Sequence, residues 1–175
     1  MGAWGNSYEF LSLERRGSEG EEDSIKVLFE EENLRRLLKV SKATSWEETM
    51  KKEIISTEKA FVSKSPLSQA IKVGNFLFVS GQIPVDSKTM KLVSEDFVAQ
   101  AKFVLEGLKA TLLAAGSSPD KAVKTTVFLT DMSRFQEMNE IYKEYFRESP
   151  PARTCIGVKE LPRNSQIEIE AIALV

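Results

Sequence analysis

Histidine is missing from this chain altogether, and cysteine occurs once, at Cys155. The first absence removes the Ser-His-Asp triad, the Cys-His dyad and most zinc sites. The second rules out an internal disulfide, so a reducing compartment, the cytoplasm, is the simplest expectation. No apolar run approaches the ~20 residues that cross a bilayer, and no membrane is expected as a partner. An excess of either charge is also lacking. The net charge is −2 over 175 residues, which gives no global attraction to nucleic acid. A carboxylate site for a hard cation is the one common metal option left. No acidic loop with Ca²⁺ spacing and no Gly-rich phosphate loop is present, so neither metal nor cofactor is expected.

What is there divides into two unequal parts. Residues 1–50 carry 7 basic and 11 acidic side chains, against 17 and 15 in the rest. The run Gly17-Ser18-Glu19-Gly20-Glu21-Glu22-Asp23 predicts disorder. Between Ser24 and Leu38, Ile25, Leu28, Phe29, Leu34, Leu37 and Leu38 recur at roughly helical spacing, which predicts a short amphipathic helix. A mitochondrial presequence is Arg-rich and poor in acids, and this acid-rich segment does not match one. Residues 1–50 therefore read as an acidic extension and 51–175 as the folded domain.

Within the domain, Ala70-Ile71-Lys72-Val73 and Phe76-Leu77-Phe78-Val79 flank Gly74-Asn75, the pattern of a two-residue hairpin. Asp96 to Ala115 predicts a helix with Phe97, Ala101, Val104, Leu105, Leu108 and Leu112 on one face and Gly116 at its C-terminal end. Lys121 to Thr130 predicts a long buried strand. Ser133 and Gln136 are spaced as a capping box. The helix they would open buries Phe135, Met138, Tyr142 and Tyr145 or Phe146, and stops before Pro150-Pro151. Two strands follow, Arg153–Lys159 and Gln166–Leu174. The order β-β-α-β-α-β-β puts two helices on one sheet, a two-layer α+β arrangement. In the last strand Ile172 and Leu174 share a face with Glu168 and Glu170. Neither face is purely polar, which predicts sheet-to-sheet association between subunits with a cleft at the interface.

The candidate chemistry lies near the C-terminus. Arg153 follows a proline pair, and an arginine fork grips a planar carboxylate through two parallel hydrogen bonds. Glu168 is suited to move protons or hold a water. Together they form a minimal toolkit for chemistry on a small carboxylic acid. Without a histidine to activate it, Cys155 reads as lining rather than as a nucleophile.

Several motifs then stand in one order: Ser68-Gln69-Ala70-Ile71-Lys72, Phe78-Val79-Ser80-Gly81-Gln82-Ile83-Pro84, Val123-Lys124-Thr125-Thr126-Val127-Phe128-Leu129-Thr130-Asp131-Met132, Asn139-Glu140-Ile141-Tyr142, Pro151-Ala152-Arg153-Thr154-Cys155 and Ile167-Glu168-Ile169-Glu170-Ala171-Ile172-Ala173. From about Ile55 to the C-terminus the sequence resembles the reactive-intermediate deaminases, the Rid or YjgF family. The resemblance implies a chorismate-mutase-like fold and a homotrimer whose sheets form a central barrel, with sites at the subunit clefts. It implies cofactor-free hydrolysis of 2-enamino and 2-imino acids, such as 2-aminoacrylate and its imine, to 2-keto acids and ammonia. By position it implies Arg153 as the carboxylate clamp and Glu168 as the residue handling water and protons. Ser80, Gly81, Asn139 and Cys155 would contribute to the pocket. The mitochondrion joins the cytoplasm as an expected compartment. One position departs. The family has Gly-Pro-Tyr where this chain has Ser65-Pro66-Leu67, and leucine supplies no hydroxyl. That leaves two alternatives, a small-carboxylate binder or regulator that does not hydrolyse, and an enzyme with a reshaped pocket for a larger pathway intermediate. Ribonuclease activity, attributed to some relatives, finds neither a basic patch nor a histidine here.

Overall fold

The computed structural model describes residues 50–175. The disorder and helix expected within residues 1–50 lie outside the described residues. Six strands form one mixed sheet: β1 (Glu53–Ile55), β2 (Ala70–Val73), β3 (Phe76–Gln82), β4 (Ala122–Leu129), β5 (Ala152–Gly157) and β6 (Ile167–Leu174). Their spatial order is β1-β2-β3-β6-β4-β5. All pairings are antiparallel except β4 with β5, which is parallel. That parallel pair needs a crossover, and the second of the two helices supplies it. The helices are α1 (Phe97–Ala114) and α2 (Phe135–Tyr145).

The hairpin forms as its sequence predicts. Val73 pairs with Phe76, and Gly74 takes a φ of 57° that a side chain would resist. The short edge strand β1 is an element the hydrophobic pattern does not reveal, since three residues carry too little periodicity. The Asp96 carboxylate caps α1 by accepting from the Ala99 N–H at 2.8 Å. The other end closes with Gly116 at φ 77°. There Ser117 N–H reaches the Leu112 carbonyl and Gly116 N–H reaches that of Leu113, so the last orphan carbonyls are satisfied.

The capping box at Ser133 and Gln136 does not form. A 3₁₀ turn, Met132–Arg134, precedes α2. The side chain of Asp131 takes the capping role instead, accepting from Ser133 N–H at 2.9 Å. Gln136 bonds forward to Glu140 at 3.2 Å. Aspartate at the start of the tighter turn reaches the free amide first, which leaves the serine hydroxyl nothing to cap. At the far end Phe146, rather than Tyr145, is the residue fully buried, and its ring stacks on Tyr142 with centroids 4.3 Å apart.

The core fills the space between the helices and one face of the sheet. Leu105, Leu108 and Leu112 of α1 meet Leu77, Val79, Val127, Leu129, Ile167 and Ile169, all buried. The opposite face is covered by no described residue. Phe76 and Phe78 stand there 48% and 46% exposed, with Ile156 and Leu174 also exposed. We expect Leu112→Ala to cost roughly 2–5 kcal/mol, against about 0.5 kcal/mol or less for its exposed neighbour Leu113→Ala. Urea denaturation at fixed protein concentration checks the contrast.

Candidate functional site

The sheet sorts the candidate residues into two groups on opposite faces. Arg153 pairs in register with Thr125, and Cys155 with Val127. Thr125 and Val127 are fully buried under the helices, so Arg153 and Cys155 stand on the helix side. Glu168 pairs with Phe128 on the open side. Two strand spacings, about 10 Å, also separate β6 from β5. Within one chain these side chains do not share a ligand.

The first group is built on one face of α2. Phe135, Met138, Asn139 and Tyr142 are spaced i, i+3, i+4, i+7, which aligns them along the helix. Asn139 Oδ1 accepts from Arg153 Nη2 at 2.6 Å, and Met138 Sδ lies 3.9 Å from Nη1. The guanidinium carbon sits 4.7 Å from the Tyr142 ring centre and 5.7 Å from that of Phe135. Each such cation–π contact contributes about 0.5–2 kcal/mol. The Tyr142 hydroxyl is fixed in turn by a 2.7 Å hydrogen bond with Thr125 Oγ1. No carboxylate among the described residues pairs with Arg153. Its charge rests on π faces and a neutral amide, so the remaining N–H groups stay available to an anion. Burial pushes the Cys155 thiol up, and the Arg153 charge offsets this only in part. A protonated thiol lines the group without being a nucleophile.

The second group surrounds a β-bulge. Val79 pairs with Ala171 and Gln82 with Ile169, so two residues, Ser80 and Gly81, stand where one would fit. Gly81 faces Glu168 so closely that a Cβ would fall 1.8 Å from the carboxylate oxygen Oε1. A larger residue here would displace the Glu168 carboxylate, so the close approach rather than the dihedral angles favours glycine. Ser80 Oγ donates to the Ser68 carbonyl at 2.7 Å, and Ser80 N–H donates to that of Gln69. Those bonds tie Ser68 and Gln69, the residues that follow the exposed Leu67, to the bulge. Buried Gln69 organises the loop. Its Nε2 donates to the Thr57 and Phe61 carbonyls, and its Oε1 accepts from Thr57 N–H. The Glu168 carboxyl is held above its ordinary value, first by burial and then by the neighbouring Glu170 charge. Among the described residues no three acidic or cysteine side chains cluster as metal ligands.

The helical spacing predicts Phe135, Met138 and Tyr142 as core. Met138 and Tyr142 are buried, and the same face also cradles Arg153. The signal available was Asn139 lying on that face. Glu170 is exposed on the open side beside Lys124 and Thr126, where it helps line a shallow depression with Phe78 and Ile172.

The domain is a two-layer α+β fold with an arginine that no described carboxylate pairs on one face of its sheet and a raised carboxylate on the other. Residues 57–175 match the family model described as Endoribonuclease L-PSP. A RutC family protein of Pyrococcus abyssi is 53% identical over 124 residues, 71% of this chain and 98% of that one. Reactive Intermediate Deaminase A of Arabidopsis thaliana, a chloroplastic protein, is 44% identical over 71% of this chain and 67% of its own length. Among solved structures, RidA from a Psychrobacter species superposes with a TM-score of 0.67 at 42% identity, covering 70% of this chain and 99% of that one. Escherichia coli TdcF with bound serine gives 0.66 at 40% identity, covering 70% and 98%. The chain belongs to this family, the Rid and RutC proteins.

The raised Glu168 sets a sign for stability. Its folded value lies above the unfolded one, so the protonated form favours folding, and stability is lost as pH rises through the folded value. Glu168→Gln should therefore melt higher than the wild type near neutral pH. The gap should close as pH falls below the ordinary carboxylate value of about 4.3. Paired melting curves across pH read this directly.

Proposed function

We propose that the protein hydrolyses 2-enamino and 2-imino acids to 2-keto acids and ammonia, at sites shared between copies of the chain. The observation that carries this reading is the placement of Arg153 and Glu168 on opposite faces of one sheet. A ligand that uses both needs Arg153 from one copy and Glu168 from another. The bare apolar face with Phe76, Phe78, Ile156 and Leu174 supports association of copies through that surface, as a homotrimer around a central barrel. The deaminase name of the Arabidopsis relative and the amino acid bound by TdcF are consistent with a small carboxylate as substrate.

In this mechanism Arg153 grips the substrate carboxylate, while Asn139 and Tyr142 hold the guanidinium still. The neutral Cys155 lines the same half of the pocket. Gly81 and Ser80 form the opposite wall, with Leu67 beside them. Glu168 holds a water against the C=N carbon. The water oxygen bonds to that carbon as one of its protons passes to the carboxylate and the C=N π pair moves to nitrogen. Glu168 returns that proton to nitrogen, which gives a carbinolamine; it then carries the hydroxyl proton to the same nitrogen as C=O forms and the C–N bond breaks, so ammonia leaves with the keto acid behind. Imines already hydrolyse unaided, so the ~2–4 orders of magnitude typical of positioned acid–base help suffice. Glu168 serves such a role because its raised value lets it exchange a proton closer to neutral pH.

A second reading draws on Leu67. An exposed leucine beside the Glu168 half supplies no donor, which favours a binder of small carboxylates that does not turn them over. The ribonuclease description of the family finds less support, because the sequence holds no histidine and no net basic charge.

A complementation assay tests the shared site. Arg153→Ala and Glu168→Gln should each abolish turnover of 2-aminoacrylate generated in situ from serine by a pyridoxal enzyme. Co-refolding the two in equal amounts should restore about a quarter of wild-type activity, since random mixing leaves that share of interfaces intact. A mixture as inactive as its parts would place both residues in one chain's site and defeat the proposal. A wild type that binds 2-ketobutyrate without turnover would favour the binder.

A further inference from the structure

Gln82 is 3% exposed and lies on the helix side of the sheet. Like Gln100, Thr111 and Thr125, it is a polar side chain buried in that layer. Its Nε2 donates to the Ser80 carbonyl at 3.0 Å, across the bulge. Its Oε1 finds no donor among the described residues. Gly107 of α1 lies over the amide, and a Cβ added there would meet Oε1 at 3.3 Å and Ala60 at 3.8 Å. A buried amide with one unmatched oxygen is a poor way to stabilise a core.

The bulge explains what it does. Along β3 the helix-facing residues run Leu77, Val79 and then Gln82, all buried. Strict alternation would have turned residue 81 toward the helices. The extra residue shifts the phase by one, so Gly81 faces the open side and meets Glu168. Three hydrogen bonds fix the shift. Two join Ser80 to the 68–69 backbone, and the third comes from Gln82. Only the third reaches the bulge from the helix layer.

We infer that Gln82 is a positioning residue: by holding the Ser80 carbonyl from beneath the sheet, it fixes the bulge that seats Gly81 against Glu168 and so sets where that carboxyl stands. This rests on the reading of Glu168 as the group that handles water and protons. It adds a residue that touches no substrate. It also adds a mechanical link from α1, through Gly107 and Gln82, to the open face.

The test is Gln82→Met, which keeps the length and removes both the donor and the unmatched acceptor. The variant should keep the wild-type assembly and melt within about 8 °C of it, since losing the unmatched oxygen offsets part of the cost of leaving the Ser80 carbonyl without its donor. Its kcat for imine hydrolysis should fall about tenfold, as expected for a misplaced acid–base group. KM should stay within about twofold, because the Arg153 half is untouched. The carbon-13 signal of the Glu168 carboxyl should titrate at a shifted midpoint. A Gln82→Met protein with wild-type kcat, KM and Glu168 titration would overturn the inference and leave Gln82 a packing residue. If Gln82→Met does not fold, Gly107→Ala replaces it. That variant crowds Oε1 without entering the bulge and should move the Glu168 midpoint by a smaller amount in the same direction; an unmoved midpoint overturns the inference. The NMR arm needs no turnover. A wild type without activity therefore defeats the deaminase reading alone, and the Glu168 midpoint still decides the role of Gln82.

Discussion

The alternation along the last strand governs the rest of the molecule. Ile167, Ile169, Ala171 and Ala173 are buried beneath the helices, which commits Glu168, Glu170, Ile172 and Leu174 to the other face. Because β6 lies at the centre of the sheet, between β3 and β4, its phase is imposed on both neighbours. It puts Phe78 and Phe128 on the open side, and through β4 it sends Arg153 of β5 to the helix side. The helices then have one face to cover, and the other is left with aromatic and aliphatic side chains that water does not favour.

That phase keeps two opposite charges apart. Arg153 and Glu168 are each partly buried and each lacks a partner of opposite sign within the described chain. Side by side they would form an ion pair, with the Glu168 carboxyl pulled down and the guanidinium donors already spent. Held on separate faces, Glu168 stays raised and Arg153 stays open. The cradle of Tyr142, Phe135 and Asn139 makes this affordable for the arginine. It spreads the charge over π faces without neutralising it. In the proposed shared site a substrate lies between the two groups, and its carboxylate answers the arginine that the sheet leaves unanswered.

Much of the fold was legible in the sequence because its signals are local or periodic. Gly74-Asn75, the apolar stripe of α1 and Gly116 each specify their own geometry, and the structure agrees with them. Features set by competition between neighbours were not legible. Asp131 displaced Ser133 as a cap because a 3₁₀ turn came first, and β1 was too short to carry a period. The arginine cradle escaped notice because a helix face that packs a core and one that holds a guanidinium have the same spacing. The bulge at Ser80-Gly81 left a trace in Gly81. Its phase shift, however, shows only in the register with β6.

Leu67 bears on how little such a site requires. The loop carrying it is not loosely placed. Gln69 pins its base through three hydrogen bonds, and Ser68 is tied to Ser80 at the bulge. The leucine therefore precedes a segment that is tied to the bulge. Replacing a donor by an aliphatic group removes one hydrogen bond and dries the surroundings. Burial and the Glu170 charge are what raise the Glu168 carboxyl. Imine hydrolysis needs mainly a positioned water and a base with a proton to return, and that carboxyl can serve as both. The proposed activity then depends on the Arg153–Glu168 pair and on the geometry of the bulge, and asks no hydrogen bond of residue 67.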